Sequence, residues 1–125
     1  VKRKYSLKGK RHFKNVFRKG KKLKGNFVQI LELKSNENRY HKQNGKEREE
    51  FEIKIGFSVP KRFGKAVRRN WAKRRIRSIV SDLIPEMNGS YCIIIKPELR
   101  FREEKFTAIQ EEIRNLLEKA GVIQL

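Results

Sequence analysis

Between residues 53 and 81 the chain has no Asp or Glu, and from Lys61 to Arg77 it carries nine basic side chains. Two patterns overlap in KRFGKAVRRNWAKRRIRSIV, residues 61–80. Ala72, Ile76, Ile79, Val80 and Leu83 recur every three or four positions, the spacing of a helix with one stripe to bury. Lys73, Arg74 and Arg77 point away from that stripe, and Arg69 and Arg75 flank it. Gly64 suits the turn that opens the helix. Such a helix must lie on an apolar surface, so the remainder of the chain has to supply a sheet beneath it. Its other side is then a dense cationic ridge.

A solvated helix face usually mixes signs, because opposite charges at i,i+4 stabilise it and like charges repel by ~0.2–0.5 kcal/mol per pair. This helix forgoes that compensation through its basic half, which calls for a polyanionic partner. The whole chain points the same way: 33 Lys and Arg stand against 14 Asp and Glu, a formal charge of +19. Self-repulsion at that level opposes compaction unless an anion offsets it. Nucleic acid and an anionic membrane are the candidates. A membrane-surface helix needs a free apolar face, whereas this stripe is taken up by the sheet. No apolar run approaches the ~20 residues needed to span a bilayer; the longest, Cys92-Ile93-Ile94-Ile95, has the length of a buried strand. The N-terminus has the charge of a signal peptide without its apolar centre. The expected location is the cytoplasm, with no membrane partner.

The chain length of 125 residues suits one domain. Residues 1–31 contain no acid, and a basic arm is expected over about residues 1–8. Phe13, Val16 and Phe17 mark a short helix, which Gly20 is placed to end with a left-handed cap. FVQILEL, residues 27–33, is strand-like with apolar residues on both faces. Residues 34–50 are almost wholly polar and read as an exposed loop. A strand follows over Phe51–Val59, with Phe51, Ile53, Ile55 and Phe57 on one face, and Pro60 ends it. After the basic helix, Asn88-Gly89-Ser90 reads as a turn and Tyr91–Lys96 as a strand closed by Pro97. A last helix is expected from about Glu103 to Ala120, with a stripe of Phe106, Ile109, Ile113, Leu116, Leu117 and Ala120, and with Gly121 just past its end.

Chemistry carried by the chain itself finds little support. The single cysteine, Cys92, excludes an internal disulfide and reads as a core residue. His12 and His41 are too far apart to suggest a metal site, and the cluster Glu47, Glu49, Glu50 and Glu52 sits beside the polar loop as solvated charge. No catalytic residue and no protein-bound cofactor is expected. RNA fits better than duplex DNA, since no helix-turn-helix spacing or zinc ligand set appears. Aromatics also lie among basic residues at Phe13, Phe17 and Phe27, as for bases stacking from a single strand. Pattern alone does not separate an aromatic stripe lining a groove from one filling a core.

The residues that carry the basic helix extend into a longer pattern. GFSVPKRFGKAVRRNWAKRRIR, residues 56–77, resembles the signature of the bacterial ribonuclease P protein family: a strand ending in Ser-Val, a Lys-Lys/Arg pair, Gly, Ala-Val, then Arg-Asn-Arg and Lys-Arg with a further Arg. RHFKNVFRKG at 11–20 resembles that family's first helix, FVQILEL its strand and YCIIIKP at 91–97 the next strand. The resemblance implies an α/β (α+β) sandwich with a small mixed sheet, in the order α-β-β-(β)-α-β-α. It also implies a left-handed βαβ crossover, against the usual rule for such units. The implied partners are a catalytic RNA, which performs the metal-dependent hydrolysis with Mg²⁺, and precursor tRNA, whose single-stranded 5′ leader lies in a groove of the protein. No obligate protein partner is implied. By position, Lys61, Arg62, Arg69, Asn70 and Arg74 would meet the catalytic RNA, and Phe13, Phe17, Val28, Ile30, Lys73 and Arg77 would line the leader groove. Three features depart from the family: Trp71 stands at the second arginine of Arg-Asn-Arg, Ile30 where some members have tyrosine, and the 34–50 loop is long. Trp71 is open to two readings, stacking on RNA or packing at the edge of the stripe. The competing functional reading is a ribosomal or ribosome-associated RNA-binding protein with no catalytic role.

Overall fold

A computed structural model describes residues 5–34 and 53–124. The elements in chain order are α1 (Lys10–Lys19), β1 (Lys21–Lys24), β2 (Val28–Lys34), β3 (Ile53–Phe57), α2 (Ala66–Leu83), β4 (Tyr91–Pro97) and α3 (Phe106–Lys119). Short 3-10 turns at Lys61–Phe63, Ile84–Glu86 and Leu99–Glu103 join them. Phe51, His41, the four loop glutamates and the polar loop beyond Lys34 lie outside the described residues, as do residues 1–4 of the arm.

The strands form one mixed sheet in the order β1-β2-β4-β3. β2 runs antiparallel to β1 and β4, while β3 and β4 are parallel, so α2 is the crossover between them. Alternation along the central strands divides the core in two. Val28, Ile30, Ile55, Ile93 and Ile95 pack with Ile76, Ile79, Ile109 and Ile113 under α2 and α3. Leu31, Leu33, Cys92 and Ile94 pack with Leu7 and Val16 under α1. A strand covered on both faces has no polar side to present, which is why FVQILEL and YCIIIK read as apolar on both faces.

Four details differ from the sequence expectation. β1 was not expected: KKLK offers only Leu23 to the sheet, and an edge strand rich in lysine discourages pairing with another chain. Gly20 is extended, with φ −69° and ψ 151°, not left-handed, because the chain passes straight from α1 into β1. Glycine is still demanded there, since a Cβ would collide with the Val16 carbonyl oxygen. Tyr5–Leu7 do not trail as an arm: Ser6 bridges Ile55 and the Leu7 N–H donates to the Ile55 carbonyl at 2.9 Å, covering the outer edge of β3. The last helix begins at Phe106, after the 3-10 turn that buries Phe101.

The C-terminal end follows expectation. Gly121 has φ 81°, its N–H reaches the Glu118 carbonyl at 3.1 Å, and the Val122 N–H reaches Leu117 at 3.0 Å. The tail then bridges Ile123 to Met87. Two polar contacts tie α3 to its surroundings. Glu112 accepts the backbone N–H groups of Asn26, Phe27 and Val28 at 2.5, 2.7 and 3.0 Å, fixing the β1–β2 turn against the helix. Arg114 grips Glu86 with two hydrogen bonds, at 2.8 and 2.5 Å, and this holds the Glu86 carboxyl below the usual carboxylate range.

Candidate nucleic-acid interface

α2 buries Ala72, Ile76, Ile79, Val80 and Leu83, the stripe read from the sequence. The cations around it do not form one ridge. Helical spacing sends Lys73 and Arg77 to one side of the helix and Arg68 and Trp71 to the other, with Arg74 between them on the outermost face, bordering the second side. Each side meets a different neighbour.

On the first side lies a groove of about 570 Å³, lined by Ser6, Leu7, Lys8, Phe13, Ile55, Gly56, Phe57, Lys73 and Arg77. It is bounded by the covered edge of β3, the start of α1 and the middle of α2. Gly56 makes this close approach possible: the Phe13 ring lies where a Cβ would stand, so any side chain there would strike it. The Arg77 guanidinium sits 5.5 Å from the Phe57 ring centroid, held over its face. Aromatic rings and fixed cations thus line one channel, the combination that accepts a single strand through its bases and phosphates. Phe17 lies one turn beyond Phe13 on α1; it does not line the groove but continues that face, 37% exposed.

On the second side is a larger open cleft of about 970 Å³, between the N-terminal half of α2 and the Leu99–Glu103 turn. Arg68, Trp71, Arg74 and Arg102 line it. Trp71 meets Phe101 edge-on at 5.8 Å and 80°, and Phe101 in turn meets Phe63 at 6.1 Å. Trp71 is therefore half-buried at the edge of the stripe while still facing the cleft. Arg102 donates to the Phe63 carbonyl at 3.2 Å, which secures the Lys61–Phe63 turn.

The other expected site residues fall as follows. Lys61 and Arg62 are exposed on that turn, anchored by the buried Phe63. Arg69 is half-buried and Asn70 exposed, both on α2. Val28 and Ile30 are a correction: both are 0% exposed in the core beneath α2 and α3, so neither presents a surface to any groove. Their position on β2 puts them on the face beneath α2 and α3, while Leu31 and Leu33, on the opposite face, are buried under α1. Phe27 packs half-buried against the main core, with Arg100 5.8 Å from its ring.

Sequence reasoning missed Phe57, Arg68 and Arg102. Phe57 looked like the last core residue of a strand. Arg68 could have been found from its wheel position beside Trp71, but Arg102 arrives from a distant segment with no pattern linking it. Among the described residues, no three His, Cys, Asp or Glu side chains come together in a way that could hold a metal ion. Among them also, no helix is long and apolar enough to cross a membrane.

Comparison with known proteins adds to this geometry. The family model for ribonuclease P matches residues 1–121. The ribonuclease P protein component of Acholeplasma laidlawii is 35% identical over 126 residues, covering 99% of this chain and 96% of that one. The solved ribonuclease P protein of Thermotoga maritima superposes with a TM-score of 0.71 at 27% identity, covering 91% of this chain and 96% of that one. A Staphylococcus aureus ribonuclease P protein, solved as a mutant with defective mRNA degradation activity, shares the fold with a TM-score of 0.77 at 23% identity; the match covers 95% of this chain and 90% of that one.

Proposed function

The chain belongs to the ribonuclease P protein family, and from that premise we propose that it assembles with a catalytic RNA and holds the 5′ leader of precursor tRNA. The observation that carries the leader assignment is the groove in which Phe13, Phe57, Lys73 and Arg77 converge. A leader is single-stranded, so its bases are free to stack, and a groove that reads ring faces and phosphates accepts many sequences. Phe13, Phe57, Lys73 and Arg77 line this groove, Phe17 extends it, and Val28 and Ile30 drop out. Lys61, Arg62, Arg69, Asn70 and Arg74 contribute to the surface for the catalytic RNA. The family match favours this reading over that of a ribosomal protein.

The hydrolysis itself belongs, in this reading, to the RNA with its Mg²⁺. The two interfaces are built from guanidinium, ammonium and aromatic groups. Guanidinium groups grip phosphates through paired donors but keep their protons at neutral pH, so they do not activate water. The mRNA degradation named for the Staphylococcus aureus protein is not proposed for this chain alone. The test is purified protein with precursor tRNA and Mg²⁺, with and without the catalytic RNA. Specific 5′ cleavage is expected only when that RNA is present. Cleavage at the same site by the protein alone, surviving nuclease treatment of the preparation, overturns the assignment.

A further inference from the structure

We propose that residues 5–7 are a strap, hinged at Gly9, which a phosphate of a single-stranded RNA draws shut over the edge of β3 by pairing with Lys8. The proposal rests on the groove reading above and adds a moving part to it. In the structure the strap is seated. Ser6 bridges Ile55, and the Leu7 N–H donates to the Ile55 carbonyl at 2.9 Å. Leu7 is 4% exposed and packs with Val16 in the smaller core, while Tyr5 packs half-buried against the larger one.

Three observations carry it. The first is position: Ser6, Leu7 and Lys8 are part of the groove wall, so lifting the strap opens the channel along the edge of β3. The second is the joint. Gly9 separates the strap from the first residue of α1 and has φ 91° and ψ 134°, a backbone that glycine alone adopts readily. The strap can turn there while the helix stays in place. The third is charge. Lys8, Lys73 and Arg77 line the groove, and none of its lining residues is acidic. Lys8 is on the strap side and the other two are on α2, so seating the strap gathers like charges along one channel. Burial of Leu7 pulls the strap down while this repulsion lifts it. A phosphate in the groove turns the repulsion into attraction. A ligand shifts such an equilibrium only through contacts it makes in one state and not in the other. Lys8 supplies that contact, because it borders the groove when the strap is seated.

The Leu7 amide reports the seat, since it donates to the Ile55 carbonyl there. Its hydrogen exchange is followed by NMR in the full-length protein, relative to the amide of Ile113, which is 0% exposed in α3 and tracks the fold as a whole. The probe is a single-stranded leader oligonucleotide of RNA. Adding it should slow Leu7 exchange relative to Ile113 by about 1.5- to 5-fold, the range for one exposed ion pair. The Lys8 side chain is exposed, so Lys8→Ala should fold normally. With the repulsion removed, it should slow Leu7 exchange in the free protein and abolish the further slowing by RNA. A purely structural part for Lys8 predicts no such slowing. Raising NaCl from about 0.01 to 0.15 M shortens the screening length from about 30 to 8 Å. That should slow Leu7 exchange in the free parent protein and leave Lys8→Ala unaffected. RNA that shifts the Phe57 and Lys73 resonances while the Leu7 to Ile113 ratio stays constant or rises overturns the strap and leaves the groove intact. Lys8→Ala that exchanges as the parent does when free, or keeps the parent's response to RNA, overturns the strap as well. RNA that leaves the Phe57 and Lys73 resonances unmoved overturns groove and strap together.

Discussion

Arg75 lies in the middle of the basic run, yet its guanidinium faces rings, 4.9 Å from Trp71 and 5.6 Å from Phe106. Its neighbour Arg74 is exposed. Adjacent arginines of identical chemistry therefore have different work, and a pair of substitutions separates them. Arg75→Ala should lower stability by about 1–2 kcal/mol, the range for a partly desolvated cation over an aromatic face, as read by urea denaturation. Arg74→Ala should leave the denaturation midpoint alone and weaken assembly with the catalytic RNA. A midpoint shift for Arg74→Ala as large as that for Arg75→Ala contradicts the distinction. Gly56 gives a second contrast. Gly56→Ala pushes a methyl group into the Phe13 ring, and overpacking of this kind typically costs about 1–3 kcal/mol. The variant should melt earlier and lose preference for precursor over mature tRNA, because Phe13 has to leave its place in the groove. The sequence could not have marked Gly56, since its φ is ordinary and only a distant ring makes glycine necessary.

Among the elements, α1 is where sequence and structure agree on existence but not on detail. The spacing of Phe13, Val16 and Phe17 gave the helix. Its stripe turned out to be split: Val16 is fully buried, Phe13 half-buried and Phe17 exposed at 37%. That gradient sets opposite expectations for two substitutions. Phe17→Ala should cost about 1–3 kcal/mol in precursor tRNA binding, spare mature tRNA and barely move the melting temperature. Phe13→Ala should lower both stability and precursor binding. Equal losses for the two tRNAs on Phe17→Ala, without loss of stability, would refute its role beside the leader. The strands show what pattern can and cannot carry. β2, β3 and β4 were legible because they supply the core with aliphatic residues. β1 was not, because its place at the sheet edge asks for hydrogen bonds rather than apolar side chains. Which face of β2 each residue joins was also hidden, since with both faces covered alternation no longer tells one from the other; Val28 and Ile30, carried over to the groove by their position in the family pattern, are instead buried in the core. Glu112, whose carboxylate accepts three backbone N–H groups from the β1–β2 turn, had no sequence signal at all. Glu112→Ala should destabilise the fold by about 2–4 kcal/mol, since hydrogen bonds to a charged group contribute about 1.5–3 kcal/mol each and water replaces part of them. A thermal melt unchanged from the parent would contradict that anchor.

At the scale of the whole molecule, the formal charge of +19 sits on a fold with cations on both edges of one helix and along α1. Complex formation with the catalytic RNA should weaken steeply with salt, with a log–log slope of roughly −0.7 to −0.9 per phosphate contacted. A nearly flat dependence would mean that the cations are only solvated. The overall architecture was legible from the spacing of apolar residues and the long basic signature, whereas the division of the cations between a groove and a cleft was not, because it depends on what α2 packs beside. In the proposed function, this protein recognises what a precursor has and a mature tRNA lacks. The direct measurement is the ratio of Kd values for mature and precursor tRNA, taken with the catalytic RNA alone and again with the protein bound. The ratio should rise with the protein by about 5- to 150-fold, the equivalent of one stacked base, and fall back on Phe17→Ala; equal tightening of both tRNAs by the protein would contradict the account.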